Sequence, residues 1–469
     1  MNAELAYVFR HALLRDAAYQ LQLPGDRGRL HKLAFSVIEE LVGGRPAEIS
    51  PAFADDPGTA RPHAADPFAE ELAEHLRFAG EGEAENSALR ALYLDRAGRH
   101  SERSYQTRSA ERLWIALSDL AQGARKAEAL RKAGICAQRT GRMKPAEEFF
   151  EQSLAILHDS GDRRARALVQ GQLAVLCSLT GRSEAAERNA KEAFLLARAE
   201  GARSQEALLL SNLGNLFRDL GRMKEAEQSL VEALFLLRAE GNRRAEGITL
   251  SNLAGVFLQT GRTESAERTL ADALAIHRSV SNRASEGVTL GNLAMTHFQS
   301  GRTELAERCL REAIDIHREV GNRRYEGHAL GDLAGLFTET SRIEQAAALY
   351  ADALMIDRDV GNRRSEGIAM AGLAILYRIT GRLAMARQTM KEALAIHQEA
   401  GDRHSGALNR CEYALILVPL GLAEEAREAW REGLAALRGF GDTASLGKLE
   451  AAMADACTKV GIPSLSPRG

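Results

Sequence analysis

The chain has 469 residues, a formal net charge of −3 and 27% charged residues, so there is no global electrostatic pull toward nucleic acid or a membrane surface. Only 5% of residues are aromatic and 10 are proline, against a high aliphatic and alanine content, which is a helical composition. Cys136, Cys177, Cys309, Cys411 and Cys457 lie far apart without a C-x-x-C pair, and no apolar run approaches the roughly 18 residues of a membrane span. This excludes a disulfide framework, a zinc knuckle and a transmembrane helix, and places the chain in the cytoplasm.

Residues 1–43 read as two helices broken at Pro24-Gly25-Asp26. Tyr7, Leu13, Leu14 and Ala17 form one apolar face, and Leu30, Leu33, Ala34 and Ile38 the other. Glu4, Arg10 and Arg15 stand where a signal peptide would need an apolar core. The wording YVFRHALLRDAAY followed by LPGDRGRLHKLAFSVIEEL resembles the segment after the ATPase and winged-helix portion of bacterial STAND-type regulators. That resemblance implies a link between a nucleotide switch and a helical repeat array, although the chain is expected to have no room for the switch itself.

Residues 44–66, with four prolines, read as a flexible linker. Asp66 is expected to cap the next helix, with Pro67 in its first position. Residues 67–160 follow as irregular helical segments. Leu94, Ala97, Gly98, Ala110, Trp114 and Leu117 keep the spacing of a helix pair, and Gly134, Ala146, Phe150 and Ser153 that of a second.

Regularity sets in at residue 161 and holds to about 440. Gly161, Gly201, Gly241, Gly321, Gly361, Gly401 and Gly441 fall forty apart, with Ser281 in the gap. A second comb of Gly141, Gly181, Gly221, Gly261, Gly301, Gly381 and Gly421, with Ser341 standing in, lies midway. Such a period marks a solenoid, in which repeats unable to bury their own apolar face stack into a continuous core. Residues 441–469 read as a capping helix and tail.

Within 201–240, Leu210, Leu213, Gly214 and Phe217 lie at helical spacing in a first helix, and Ala226, Leu230 and Ala233 line a second. These types and spacings resemble the tetratricopeptide repeat, and the forty-residue form with GNRRxEG and SNLAxxF resembles that of Pins/LGN-type scaffolds and kinesin light chain. The resemblance implies an all-α fold, a right-handed superhelical solenoid of stacked helix-turn-helix units whose first helices line a concave groove. A small residue at Gly214, Ala254, Ala294, Ala334 and Ala374 lets each pair close up.

On that implied groove lies a polar ladder of Asn212, Asn252 and Asn292, continued by Asp332 and lost at Gly372. A carboxamide can pair with the main chain of an extended peptide whatever its side chains, and Asn is a mediocre helix former that stability alone does not favour. Ser211 and Ser251 beside it leave room for a ligand backbone. Asn215, Arg218, Gln259, Gln299, Glu339 and Arg378 vary from repeat to repeat, as residues reading individual side chains would. The bland alternative is a wet helix face copied by duplication.

Other recurrent residues read as structural. Arg163, Arg203, Arg243, Arg283, Arg323, Arg363 and Arg403 precede a Glu at i+3 in most repeats, and Asn242, Asn282, Asn322 and Asn362 are expected N-caps. Arg142, Arg182, Arg222, Arg262, Arg302, Arg342 and Arg382 fall in the inter-helix turn, where solvation or carbonyl capping explains them. His277, His317 and His397 recur at one position but too far apart to share a metal. His297 fills a phenylalanine slot as a core histidine. GDTASLGKL at 441–449 lacks the spacing, the Ser or Thr and the strand of a P-loop, and no catalytic or cofactor motif is visible.

The leading expectation is a non-catalytic scaffold, without metal or cofactor, that binds a peptide or protein segment and neither nucleic acid nor membrane. The sensor arm of a STAND-type regulator is the alternative, and self-assembly through solenoid ends a third reading.

Overall fold

The computed structural model describes residues 24–47, 52–53, 62–79, 83–440 and 442–465. The expected first helix of the N-terminal segment and most of the linker lie outside the described residues. Those described form twenty-one α-helices and no strand. They are α1 (Pro24–Leu41), α2 (Ala69–Phe78), α3 (Glu83–Arg103), α4 (Thr107–Leu120), α5 (Gly123–Arg139), α6 (Met143–Ser160) and α7 (Arg163–Leu179). Then come α8 (Ser183–Ala199), α9 (Arg203–Asp219), α10 (Met223–Ala239), α11 (Arg243–Gln259), α12 (Thr263–Ser279), α13 (Arg283–Gln299) and α14 (Thr303–Glu319). The chain ends with α15 (Arg323–Glu339), α16 (Ile343–Val360), α17 (Arg363–Ile379), α18 (Leu383–Glu399), α19 (Arg403–Leu417), α20 (Ala423–Phe440) and α21 (Thr443–Val460).

Two compact units divide the chain. The first comprises Met1–Cys136 with Ala155–Ser160, the second Ala137–Leu154 with Gly161–Gly469. In the first, α1 turns a different face inward from the one expected. Phe35 packs edge-on to Tyr93 with ring centroids 5.6 Å apart, and His31 meets Phe78, so Gly28, His31 and Phe35 make the contact. Leu30 and Leu33 are left 49% and 60% exposed. Asp66 does not cap α2 but is buried beneath Arg96 and Arg103, at 2.7 and 2.5 Å. Trp114 lies flat over Gly98, where a Cβ would come within 2.8 Å of the indole.

In the second compact unit each first helix packs against its own second helix, and each second helix against the next first helix. Consecutive first helices also touch one another, which puts them on the inside of the curve. The close-packing position is as expected. Ala254, Ala294, Ala334 and Ala374 are fully buried, and a Cβ on Gly214 would lie 2.6 Å from Leu230 Cγ. The glycine of the GNRRxEG phrase is fixed by the second helix of the same repeat. His277, His317 and His397 press their rings on Gly247, Gly287 and Gly367, and Asp357 its carboxylate on Gly327.

The charged combs do more than solvate turns. Glu246, Glu286, Glu326 and Glu366 are buried, and each takes two arginines. One is the expected i−3 partner, Arg243, Arg283, Arg323 or Arg363, at 2.5–2.7 Å. The other, unforeseen, comes from the preceding repeat's second helix: Arg238, Arg278, Arg318 or Arg358, at 2.7–2.9 Å. The inter-helix-turn arginines from Arg182 to Arg342 likewise reach back one repeat, correcting their reading as solvated caps. Arg262 and Arg302 grip Glu227 and Glu267 with both terminal nitrogens at 2.6–2.9 Å, and Arg342 reaches Glu307 at 2.6 Å. Bidentate geometry adds direction as well as energy, so these contacts fix the rotation between repeats.

Asn242 caps α11 through Ala245 N–H at 3.1 Å, but Asn282 and Asn362 do not cap. Their amides turn instead to Ser285 and Ser365, at 2.9 and 2.7 Å, and to the buried side chains of His277 and Asp357. GDTASLGKL opens a plain helix, with Asp442 accepting from Ser445 N–H at 3.0 Å.

Helix ends close with a left-handed residue, as at Gly241, after which Asn242 N–H bonds Leu237 O at 2.9 Å. Ser281 and Ser341 hold the same conformation at φ 52° and 58° with a side chain attached. Ser281→Gly and Ser341→Gly should each stabilise the fold by about 0.5–1 kcal/mol in chemical denaturation. A loss of stability in both would show that the serines make a contact worth more than the strain.

Burial pushes the Asp357 carboxyl up to about 7, against the opposing pull of His328 and the Asn362 hydrogen bond. Because the folded pKa is raised, the stability tied to its proton is present at pH 4 and lost as pH rises through 7. Asp357→Asn should therefore gain about 1–3 kcal/mol over the parent at pH 8 and little at pH 4. An equal difference at both pH values in thermal melts would contradict this.

Candidate binding groove

On each first helix from α9 to α17 one line of positions, spaced i, i+4, i+7 and i+11, is exposed or half-buried throughout. In α9 it is Leu208, Asn212, Asn215 and Asp219, and the helical period carries it onto the inner face of the second compact unit. Leu208, Ile248 and Ile368 at its first position are 40–43% exposed, and Met295 at its third is 38% exposed. These apolar residues were not anticipated. Their signal was an aliphatic residue recurring at a position outside the packing set.

The amide ladder is laid out along this face. Asn212 and Asn292 are exposed, while Asn252 is half-buried and donates to Ser211 Oγ at 3.3 Å. Asp332 is paired with His328 at 3.2 Å, and that carboxylate holds the imidazole's pKa above its ordinary value. Ser211 is buried and accepts from Thr249 Oγ1 at 3.2 Å, and Ser251 Oγ lies 3.1 Å from Thr289 Oγ1, so both hydroxyls also bridge adjacent first helices.

Of the variable residues, Arg218 pairs with Asp219 at 3.1 Å and overhangs Gly255 of the next repeat. Asn215 keeps its side-chain oxygen buried without a hydrogen bond among the described residues. Gln259 and Gln299 are exposed. Arg378 pairs with Glu412 at 3.3 Å, where burial raises the carboxyl's pKa against the arginine's pull. Glu339 is exposed and forms no ion pair with any described residue.

Toward the C-terminal half the groove deepens into a cavity of about 370 Å³. Met295, Ile368, Ile375 and Leu408 supply apolar wall, Gly331 and Gly335 the open floor, and Asp332 and Glu339 the rim. Tyr350 closes it from below. It occupies the slot held by Leu230, Leu270, Leu310 and Met390 in other repeats, and its hydroxyl reaches under α17. A Cβ on Gly372 would collide with Tyr350 Oη, so the tyrosine leaves no room for a side chain to continue the polar ladder there.

Gly331 and Gly335 have no such constraint. A Cβ at Gly331 would meet nothing within 4 Å, and at Gly335 only Tyr350 Oη at 3.8 Å. Each costs α15 about 0.5–1 kcal/mol relative to alanine without any packing return. Among the described residues no three His, Cys, Asp or Glu side chains converge as metal ligands, and no helix is long and apolar enough to cross a membrane.

Gly372→Asn should destabilise by about 1–3 kcal/mol through overpacking, and a Tyr350→Leu background should remove most of that cost. Additive effects in the double-mutant cycle would show that the tyrosine is not what ends the ladder.

Tetratricopeptide repeat models match residues 125–199, 205–279 and 285–359, and a second model of the same repeat matches 368–400. No curated protein sequence matches the chain. Among solved structures, the chain resembles a Rap protein complexed with Competence and Sporulation Factor at 13% identity and a TM-score of 0.55, covering 76% of this chain and 99% of that one. A STAND protein with a tetratricopeptide repeat sensor from Pyrococcus horikoshii aligns at 15% identity and a TM-score of 0.47, over 94% of this chain and 67% of that one. A kinesin light chain repeat protein from Podospora anserina aligns at 16% identity and a TM-score of 0.34, over 40% and 92%. With the family models spanning more than half of its length and its helices paired in tandem, the chain belongs to the tetratricopeptide repeat family.

Proposed function

We propose that the chain is a non-catalytic cytoplasmic scaffold that holds an extended peptide or protein segment along the first helices of its second compact unit. The observation that carries this reading is the row of side-chain amides on the inner face. Asn212 and Asn292 are exposed there, in helix interiors where stability would favour Glu, Lys or Ala. In this reading Asn212, Asn252 and Asn292 pair with the ligand's main chain, Ser211 and Ser251 keep the approach low, and Asp332 continues the row as an acceptor. Asn215, Arg218, Gln259, Gln299, Glu339 and Arg378 read side chains.

Tetratricopeptide repeats generally serve protein interaction, and the same fold carries a bound factor in the Rap protein. The net charge of −3 supports a protein ligand over nucleic acid. A second reading, the sensory arm of a STAND-type regulator, is favoured by the FRHALLRDAAY wording and is compatible with the first, the groove then being the sensor.

A displayed random-peptide library selected on the protein tests this. Enriched peptides should lose at least about tenfold in affinity on the triple variant Asn212→Ala, Asn252→Ala, Asn292→Ala, since each lost hydrogen bond is worth about 0.5–1.5 kcal/mol. The triple variant should unfold close to the parent, whereas Leu253→Ala should lose about 2–5 kcal/mol of stability. No enrichment, or peptides indifferent to the triple variant, would remove the groove reading.

A further inference from the structure

We infer that the cavity among α13, α15, α17 and α19 is the specificity pocket of the groove, taking one large apolar side chain of a partner segment that carries a lysine or arginine beside it. This rests on the groove reading and adds a location and a ligand chemistry to it.

The size fits. About 370 Å³ lies at the small end of ligand sites, which span about 300–1,000 Å³, enough for one or two side chains and too little for a helix to enter end-on. The wall fits as well. Met295 and Ile368 stand 38% and 40% exposed, facing an open space that Ile375 and Leu408 also line, and apolar surface left uncovered in a concavity gains by being covered. The floor is held open where it need not be, since Gly331 and Gly335 sit in the interior of α15 and neither is required by a neighbour.

Charge selects the flanking group. The rim and its surroundings carry Asp332, Glu339 and Glu412 against His328 and Arg378. Asp332 is matched by His328 at 3.2 Å and Glu412 by Arg378 at 3.3 Å, whereas Glu339 is exposed and forms no ion pair with a described residue. A cation next to the buried side chain would satisfy it, and an acidic neighbour would be repelled. A rim charge of this kind sets partner choice more than raw affinity.

Two variants separate this pocket from the groove as a whole. Gly331→Leu fills the cavity from its floor; a Cβ there meets nothing within 4 Å and leucine is a strong helix former, so the variant should melt near the parent, which a thermal melt checks. Glu339→Lys reverses the rim charge at an exposed site. Peptides selected on the parent protein should be enriched in Leu, Met or Phe adjacent to Lys or Arg. Their affinity should fall at least tenfold on Gly331→Leu, and selection on Glu339→Lys should shift the adjacent position to Asp or Glu.

Enriched peptides that bind both variants as they bind the parent, or that lack the apolar-basic pair, would overturn the pocket while leaving the groove reading intact. Failure to enrich any peptide would refute both. Enrichment of segments of this chain itself, lost on Gly331→Leu, would make the occupant a second copy and overturn the partner named here.

Discussion

No repeat of this chain can bury its own apolar face, so each depends on how the next is set against it, and a buried carboxylate does much of the setting. Glu246, Glu286, Glu326 and Glu366 sit at the joint between repeats with one arginine from either side. Removing one member of a fully buried pair typically costs about 3–5 kcal/mol. Here the arginines are 39–59% exposed, so the gain in stability is smaller, and the larger consequence is geometric. A carboxylate gripped from both sides tolerates little rotation, and the turn arginines from Arg182 to Arg342 add a second grip at the other end of their helix pairs.

That rotation is what brings distant repeats together. Within the second compact unit, Arg324 donates to Arg139 O at 2.8 Å across 185 residues of sequence, and Arg403 lies against Gly181. The inner face is therefore a confined surface, and small side chains on it decide what fits.

Much of this was legible in the sequence because the signals were local and repeated. The glycine combs, the Leu, Ala and Phe periods and the Arg–Glu spacing each act within one helix or one turn. What escaped was set by neighbours. The second arginine on each buried glutamate lies eight residues earlier, on another helix, and the reach of Arg262 to Glu227 spans 35 residues. The inward face of α1 was misassigned because Phe35 against Tyr93 outweighs a leucine period that the helix alone would favour. Asn282 and Asn362 differ from Asn242 in having a serine three residues on and a buried His277 or Asp357 five residues back, and their amide nitrogens donate to both. The candidate groove was half legible. Its amides stood out as residues that stability does not explain, but the cavity depends on Tyr350 replacing a leucine one helix away from Gly372, which no single-helix pattern reveals.

The groove reading concentrates recognition on the inner face, and two methionines stand on opposite sides of that claim. Met295 lies on a first helix at the cavity wall and is 38% exposed, whereas Met355 lies on a second helix and is 62% exposed. Photo-methionine incorporated throughout the protein, followed by irradiation with the partner bound and mass spectrometric mapping, compares them directly. Crosslinks to the partner are expected from Met295 despite its lower exposure. Crosslinks from Met355 with none from Met295 would contradict the groove reading.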